Sequence, residues 1–517
     1  MAEPNSSFRL LGNSAWNAAA FLLGVGLNLL ILPFVVSRLG IAAFGVAGLV
    51  TACVAPAMAF SNSLALSTTR ELAQRLVPDE RDDARRFFAT ALMLALGIGG
   101  LIVAILCLAG PPLARLAFDL GGKAADDLWL AFAFGAGGWW CQCLSAVFLA
   151  LFTARQDYFR IASINIFSTI IMAAATVVFL PHWPLASTYL GCQAFGFAVS
   201  LLAAAAFSRW AIAGWLARPA LHKGPLSDLV NLGAWQLAAQ GGGLIAGQAD
   251  RYLLGALLAP QFVGFYTIAQ RLEEAMYIGI LKVGEILFPF FSTLQREPTD
   301  RKADLLFRAS WVLNVLAASA LGALIPVAGP LLHLWTGAEV AAEARQVLVV
   351  LSIAGMLGCT TNAFAFYLLA SGRSRSNALI SFVTAVFTLA TSALTLPYFG
   401  WQAAGWSICI GMVAQTVTTT ILLRQGFSHA GMWSQIAHFV WLPLGLGIVT
   451  ALALRHFMAV SLLDKDPHWW SVGALYGLAA GIIFVVVVVA SGVGPHGAAC
   501  WRDLRVIASR FLPAKAT

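Results

Sequence analysis

Residues 14–36 read SAWNAAAFLLGVGLNLLILPFVV, an uncharged apolar run. At 1.5 Å per residue it is long enough to cross a hydrocarbon core of about 30 Å as a helix. Similar runs recur to the other end of the chain, so that 60% of the 517 residues are apolar and only 10% are charged. A soluble domain carries roughly a quarter of its residues as charge. With a mean hydropathy of +0.82, the chain reads as an all-α polytopic membrane protein. Soluble enzymes, nucleic-acid binders and secreted disulfide scaffolds are excluded.

Splitting the sequence at charged or Pro/Gly-rich breaks predicts about fourteen transmembrane helices: 14–36, 41–66, 88–110, 127–152, 161–180, 185–207, 229–250, 261–290, 309–330, 344–370, 378–397, 402–423, 439–459 and 469–491. An even number puts both termini on one side. Of the 31 Lys and Arg residues, 22 fall on the side of the termini and only Arg38, Arg115, Lys123, Arg345, Arg455 and Lys465 on the other. The excess of basic residues predicts cytoplasmic termini and turns most of the +8 net charge into a topogenic signal. The first run is too long for a signal-peptide core and has no cleavage site after it. The eight cysteines show no metal-ligand or disulfide spacing and read as small core residues. The histidines form no pair at helical spacing. No metal or organic cofactor is implied.

The sequence repeats itself. Ala15-Trp16-Asn17 and Ala234-Trp235-Gln236 open the first and seventh spans at an offset of 219, and Phe44-Gly45-Val46 meets Val263-Gly264-Phe265 at the same offset. Pro78-Asp79-Glu80-Arg81 matches Pro298-Thr299-Asp300-Arg301 at 220, Ala154-Arg155 matches Gly372-Arg373 at 218, and Pro181 matches Pro397 at 216. The unit of repetition is six spans, which preserves orientation and predicts two six-helix lobes related by an axis along the membrane normal. The domains expected are an N-terminal lobe over 1–210, an amphipathic cytoplasmic connector over 211–228, a C-terminal lobe over 229–423, and two additional helices with a cytoplasmic tail over 424–517. Two lobes around a shared cleft suit alternating access.

Taken with this repeat, Ser37-Arg38-Leu39-Gly40-Ile41-Ala42-Ala43-Phe44-Gly45 and Gln248-Ala249-Asp250-Arg251-Tyr252-Leu253-Leu254-Gly255, followed by Val263-Gly264-Phe265-Tyr266, carry a resemblance. The chain resembles the multidrug/oligosaccharidyl-lipid/polysaccharide exporter superfamily, and within it the Wzx-type polysaccharide-transporter flippases. The resemblance implies translocation of an undecaprenyl-pyrophosphate-linked oligosaccharide from the cytoplasmic to the periplasmic leaflet. It also implies a polysaccharide polymerase and a chain-length regulator as partners, membrane lipids around the chain and no nucleic acid. The relative that flips lipid II carries arginines in its first helices, whereas residues 14–36 here are uncharged.

Ionisable groups inside the membrane are functional candidates by default, and they concentrate in the seventh and eighth spans. At 100° per residue, Gln236, Gln240, Gly243, Gly247 and Asp250 share a stripe of about 80°, with Arg251 on its shoulder. Tyr266, Gln270, Glu273, Glu274, Tyr277, Gly284 and Glu285 share about 120°, flanked by Arg271 and Lys282. Asn28 and Asn62 extend the polar lining in the first two spans. A pyrophosphate calls for Arg251, Arg271 and Lys282. Sugar hydroxyls call for Asn28, Asn62, Gln236, Gln240, Tyr266, Gln270 and Tyr277. Asp250, Glu273, Glu274 and Glu285 are candidates to carry coupling protons or sodium. The pairs Arg271–Glu274 and Lys282–Glu285 also have the i,i+3 spacing of mutual neutralisation.

Elsewhere, Asp79 to Arg86 reads as a solvated helix of alternating charge. Arg209 to Lys223 reads as a connector lying on the anionic leaflet. Trp139, Trp140, Trp183, Trp401, Trp469 and Trp470 read as interface anchors. No phosphate-binding loop appears, so the chain is not expected to be an ATPase or other enzyme. The alternatives are a cation-coupled multidrug exporter or a lipid II flippase of the same superfamily and, from another class, a membrane polysaccharide polymerase or ligase.

Overall fold

A computed structural model describes residues 23–75, 81–118, 122–211, 218–227, 229, 248–285, 291, 298–371, 373–427, 431–459, 468–493 and 496–502. Among them the regular structure is entirely helical. Eleven helical stretches are long and apolar enough to cross a membrane, and α1 (Leu23–Leu39) is a shorter apolar helix that begins at the edge of the described residues. The expected eighth span is helical over Pro260–Glu285, while most of the expected seventh lies outside the described residues. By contact the chain forms two compact units, Met1–Gly264 and Phe265–Thr517.

The first unit contains α1, α2 (Ile41–Val54), α3 (Met58–Arg75), α4 (Arg81–Phe118), α5 (Gly122–Ala154), α6 (Tyr158–Phe179), α7 (Ala186–Ala211) and α8 (Ala249–Leu257). Helix α5 is its hub, packing on α7, α4 and α3. A core of Leu64, Leu72, Phe88, Ala95, Trp139, Val147 and Leu151 fills the space between them. Two of the expected interface tryptophans belong here instead: Trp139 is buried, and Trp140 donates its indole N–H to the Ala95 carbonyl at 2.9 Å. Asp127, also buried, accepts from the Ser187 N–H at 2.9 Å and so ties α5 to the start of α7. Helix α4 runs well past the expected 88–110 because its charged first turns neutralise themselves, Asp82 with Arg85 at 4.0 Å and Asp83 with Arg86 at 3.6 Å. In the connector expected over 211–228, residues 218–222 are not helical and 223–227 are.

The second span breaks at a 3₁₀ turn, Ala55–Ala57, because Pro56 has no N–H to give the Ala52 carbonyl. Two donors replace it: the Ala55 N–H and the Tyr252 hydroxyl, 2.6 Å away on α8. At the start of α2 the repeat meets itself. A methyl added at Gly264 would sit 2.5 Å from the Ile41 carbonyl oxygen, and one at Gly45 would strike the Pro260 carbonyl. Both pairs are related by the offset of 219, Ile41 to Pro260 and Gly45 to Gly264. Residue i touches j' and i' touches j, the reciprocity of a contact built around a local two-fold.

The second unit contains most of α9 (Pro260–Glu285), then α10 (Thr299–Thr336), α11 (Ala338–Cys359), α12 (Asn362–Ala370), α13 (Ser374–Phe399), α14 (Ala403–Gly426), α15 (Met432–Phe457) and α16 (Trp469–Val493). Helix α10 packs on α11, α15 and α16. The α11–α12 span is 94% buried over its apolar window and α13 only 17%, so the first is core and the second has its apolar side chains open to lipid. The last two helices are joined to α10 by polar contacts: Asn314 donates to the Phe439 carbonyl at 3.2 Å within a π turn, and the Tyr476 hydroxyl to the Ala320 carbonyl at 3.1 Å. Trp401 is buried against Phe265, with ring centroids 5.9 Å apart, and is a third tryptophan that is not an interface anchor; Trp183, Trp469 and Trp470 are exposed.

The reciprocal crossing has no room for a side chain, and the obstructing atoms are backbone. Gly45→Val and Gly264→Val should each destabilise the purified protein by about 1–3 kcal/mol. Gly97→Ala, at a helical position with open space around it, should be neutral or stabilising by about 0.5–1 kcal/mol. Thermal unfolding in detergent measures all three; an unchanged midpoint for either valine variant would remove the crossing from the fold's requirements.

Candidate functional site

The polar stripe of α9 lies against α11 at residues that make space for it. The Glu273 carboxylate occupies the position that a side chain at Gly355 would take. One turn on, Tyr277 packs over Gly358 and donates its hydroxyl to Asn362 Oδ1 at 3.1 Å. Asn362 opens α12 immediately after an interruption in the tenth span, where Thr360 and Thr361 turn the chain. Their hydroxyls cap the end of α11, Thr360 to the Leu357 carbonyl at 2.6 Å and Thr361 to that of Gly358 at 3.0 Å. These caps satisfy carbonyls that a continuous helix would have paired.

The interruption gathers further polar groups. Gln415 of α14 donates to the Thr361 hydroxyl and accepts from Thr384 of α13 at 3.2 Å, while Thr360 and Thr416 lie 3.2 Å apart. Beside them is an enclosed void of about 10 Å³ lined by hydroxyls of Ser310, Thr360, Thr361, Thr416 and Thr419 together with apolar side chains. That volume is about one water molecule, and the buried Thr419 hydroxyl has no partner among the described residues. A discontinuous span with polar side chains converging on the break is how membrane carriers build midplane sites.

The other candidates separate into exposed, buried and undescribed groups. Arg271 and Glu274 form a half-exposed pair at 3.5 Å, with side-chain exposures of 49% and 42%. Lys282 is exposed, Gln270 is half-buried and Tyr266 fully buried. Arg271 and Lys282 stand eleven positions apart on one helix, about 16 Å along its axis. Asp250 and Arg251 belong to the first unit and are buried in the first turn of α8. There Arg251 donates Nη1 to Gln248 at 2.8 Å and its backbone N–H to Asp250 Oδ1 at 2.9 Å. Asn28 is exposed and donates to the Gly24 carbonyl of its own helix at 2.8 Å, and Asn62 is exposed. Gln236, Gln240 and the side chain of Glu285 lie outside the described residues.

Sequence reasoning found Glu273 and Tyr277 but not the groups that receive them. Thr360-Thr361-Asn362 was visible as a polar run inside an apolar span, and Gln415 as a lone amide in another. Gly355 carried no signal of its own, because its role is to have no side chain.

A family profile described as polysaccharide biosynthesis protein matches residues 35–339. No curated protein sequence matches the chain. Among solved structures, the lipid II flippase MurJ in an inward closed conformation superposes with a TM-score of 0.67 at 12% identity, over 92% of this chain and 98% of that one. An inward-facing multidrug resistance MATE family transporter of the MOP superfamily gives 0.64 at 14%, over 84% and 95%. A MOP superfamily transporter from Pyrococcus furiosus gives 0.60 at 14%, over 81% and 96%. At such identities the likeness is one of fold: this chain has the fold of that superfamily's transporters.

The contact between α9 and α12 can be measured. Tyr277→Phe and Asn362→Leu should each lower stability, with a coupling of about 1 kcal/mol in a double-mutant cycle in detergent. Strict additivity would mean that the two side chains do not interact.

Proposed function

The chain belongs to the polysaccharide biosynthesis protein family, and on that premise we propose that it is a flippase for an undecaprenyl-pyrophosphate-linked oligosaccharide. It carries the lipid from the cytoplasmic to the periplasmic leaflet of a bacterial inner membrane, with both termini in the cytoplasm, to supply a polysaccharide polymerase and chain-length regulator. The observation that carries this reading is the family match across 35–339 on a chain with the MOP transporter fold. The 22 of 31 basic residues on the side of the termini support the orientation.

In this reading the two halves alternate access to the membrane's sides. Arg271 and Lys282, both exposed, receive the pyrophosphate as cations that need not be desolvated first. Gln270 and the amides of the first, second and seventh spans serve the sugar. Glu273, seated at Gly355 and one turn from the Tyr277–Asn362 pair, is the carboxylate best placed to couple a proton or sodium ion to the movement. Arg251, buried with its guanidinium donating to Gln248, steadies the first turn of α8.

Lipid II is the second reading, favoured by the likeness to MurJ and opposed by the uncharged first span, where that flippase carries arginines. Both lipids present a pyrophosphate, so they differ in sugar and peptide recognition. A multidrug exporter lacks a use for two exposed cations on the polar helix. The structural neighbours are transporters and a flippase, which speaks against a polymerase or ligase.

Deleting the chain from its host should stop surface polysaccharide export and leave the lipid-linked intermediate in the cytoplasmic leaflet. A variant carrying Arg271→Ala with Lys282→Ala should reproduce the loss by about tenfold or more at normal protein level. Undiminished export in the deletion would end the flippase reading, and rescue of a strain depleted of its lipid II flippase would replace it with the second. Glu273→Gln should remove the dependence of transport on an ion gradient. Gly355→Ala should act in the same direction, because the added methyl displaces the carboxylate; a Gly355→Ala variant with wild-type gradient dependence would exclude Glu273 at that position as the coupling group.

A further inference from the structure

A second basic locus lies in the first unit, apart from the candidate site residues. Helix α3 ends at Arg75 and α4 begins at Arg81. The described end of the connector is strapped across the first turns of α4, with Ala220 N–H to the Ala89 carbonyl at 3.4 Å and His222 N–H to the Thr90 hydroxyl at 3.3 Å. Between the helix ends and the strap is a cleft of about 560 Å³. Among the described residues, Arg75, Arg86 and Lys223 line it with the carboxylate of Asp83, beside His222, Phe87 and Leu221.

Arg75 is held rather than free to swing. Its guanidinium lies over the buried Phe87 ring, 4.1 Å from the centroid, and Nη1 bonds the Glu71 side chain and carbonyl behind it. Both bonds use Nη1, so Nη2 and Nε have no protein partner among the described residues. Arg86 and Asp83 are each 60% exposed and 3.6 Å apart, a loose surface pair. Lys223 is exposed and makes no ion pair with a described residue. The wall is also partly apolar: Leu221 is 55% exposed beside these cations.

The level in the membrane follows from the spans. Arg75 is the last residue of the span Ile41–Arg75 and Asp82 the first of Asp82–Phe118, so the cleft opens where apolar helix gives way to headgroups. By the distribution of basic residues this is the side of the termini. A pre-positioned guanidinium, two exposed cations and an adjacent apolar wall at headgroup depth match a phosphodiester joined to acyl chains.

We propose that this cleft is a binding site for the headgroup of an anionic phospholipid, distinct from the translocated lipid and independent of what that lipid is. Arg75 and Arg86 meet the phosphate, Lys223 adds charge from the strap, and Leu221 lies along the lipid's glycerol and first methylenes. Occupancy ties the connector to the foot of α3 and α4.

The test uses the full chain in nanodiscs of phosphatidylcholine titrated with phosphatidylglycerol, with bound lipid counted by native mass spectrometry after release. The wild type should retain phosphatidylglycerol over phosphatidylcholine. Arg86→Ala with Lys223→Ala, both exposed and without a role in the core, should weaken that retention roughly twentyfold. Phe87→Leu, which keeps an apolar side chain but removes the ring under Arg75, should weaken it in the same direction. Arg155→Ala, a basic residue outside the cleft, should change nothing. Wild-type retention in the double variant, or equal loss in Arg155→Ala, would overturn the site. Inorganic pyrophosphate that raises the unfolding temperature in detergent while phosphatidylglycerol does not would also overturn it, in favour of a soluble anion.

Discussion

A peptide group without a partner in hydrocarbon costs several kcal/mol, and that penalty governs where these helices can stop. Each interruption inside a span carries its own repair. At Pro56 the stranded Ala52 carbonyl takes the hydroxyl of Tyr252 from another helix. At the end of α11, Thr360 and Thr361 cap the carbonyls of their own helix with their side chains. At the π turn of α15, the Phe439 carbonyl takes the Asn314 amide. The repairs at Pro56 and the π turn join one helix to another, so these breaks in secondary structure become tertiary junctions.

The break at Thr360 goes further than repair. The hydroxyls that cap the end of α11 add to the backbone N–H bonds on the same carbonyls, and they are within reach of Gln415 and Thr416 on α14. Asn362, the first residue after the break, then faces Tyr277. A polar cluster in the middle of an otherwise apolar unit thus follows from the need to interrupt one span. Glu273 joins it only because Gly355 yields its side-chain volume. Coupling chemistry in this unit would use groups that the backbone's own requirements had assembled.

The spans were legible because apolar length is a one-dimensional property, and so was the repeat, whose equivalents Gly45 and Gly264 turn out to pack on each other's neighbours. Helix ends were not. The start of α4 reaches past the apolar run because Asp82, Asp83, Arg85 and Arg86 cancel locally, which hydropathy scores as a boundary. The polar stripe of α9 was legible from helical period, but its partners were not, since a glycine contributes no pattern. Tryptophans failed for a related reason. Trp139 stands midway along the expected span 127–152 and Trp183 between two spans; one is buried in a core and the other exposed, and the neighbouring helices decide which.

The same distinction bears on charge. A guanidinium in a membrane protein reads as a ligand for an anion, and Arg251 and Arg271 look equivalent in sequence. In the structure Arg251 is 5% exposed and its guanidinium donates to Gln248, whereas Arg271 is half-exposed beside Glu274. Removing a buried, hydrogen-bonded cation takes a donor from Gln248 and empties a packed position, and the loss falls on stability before it falls on any substrate. Removing Arg271 costs the fold little, because exposed ion pairs contribute about 0–1 kcal/mol. In the proposed reading a transport defect at Arg251 therefore reports on the fold around α8, whereas Arg271 and Lys282, exposed on α9, report on what the protein carries.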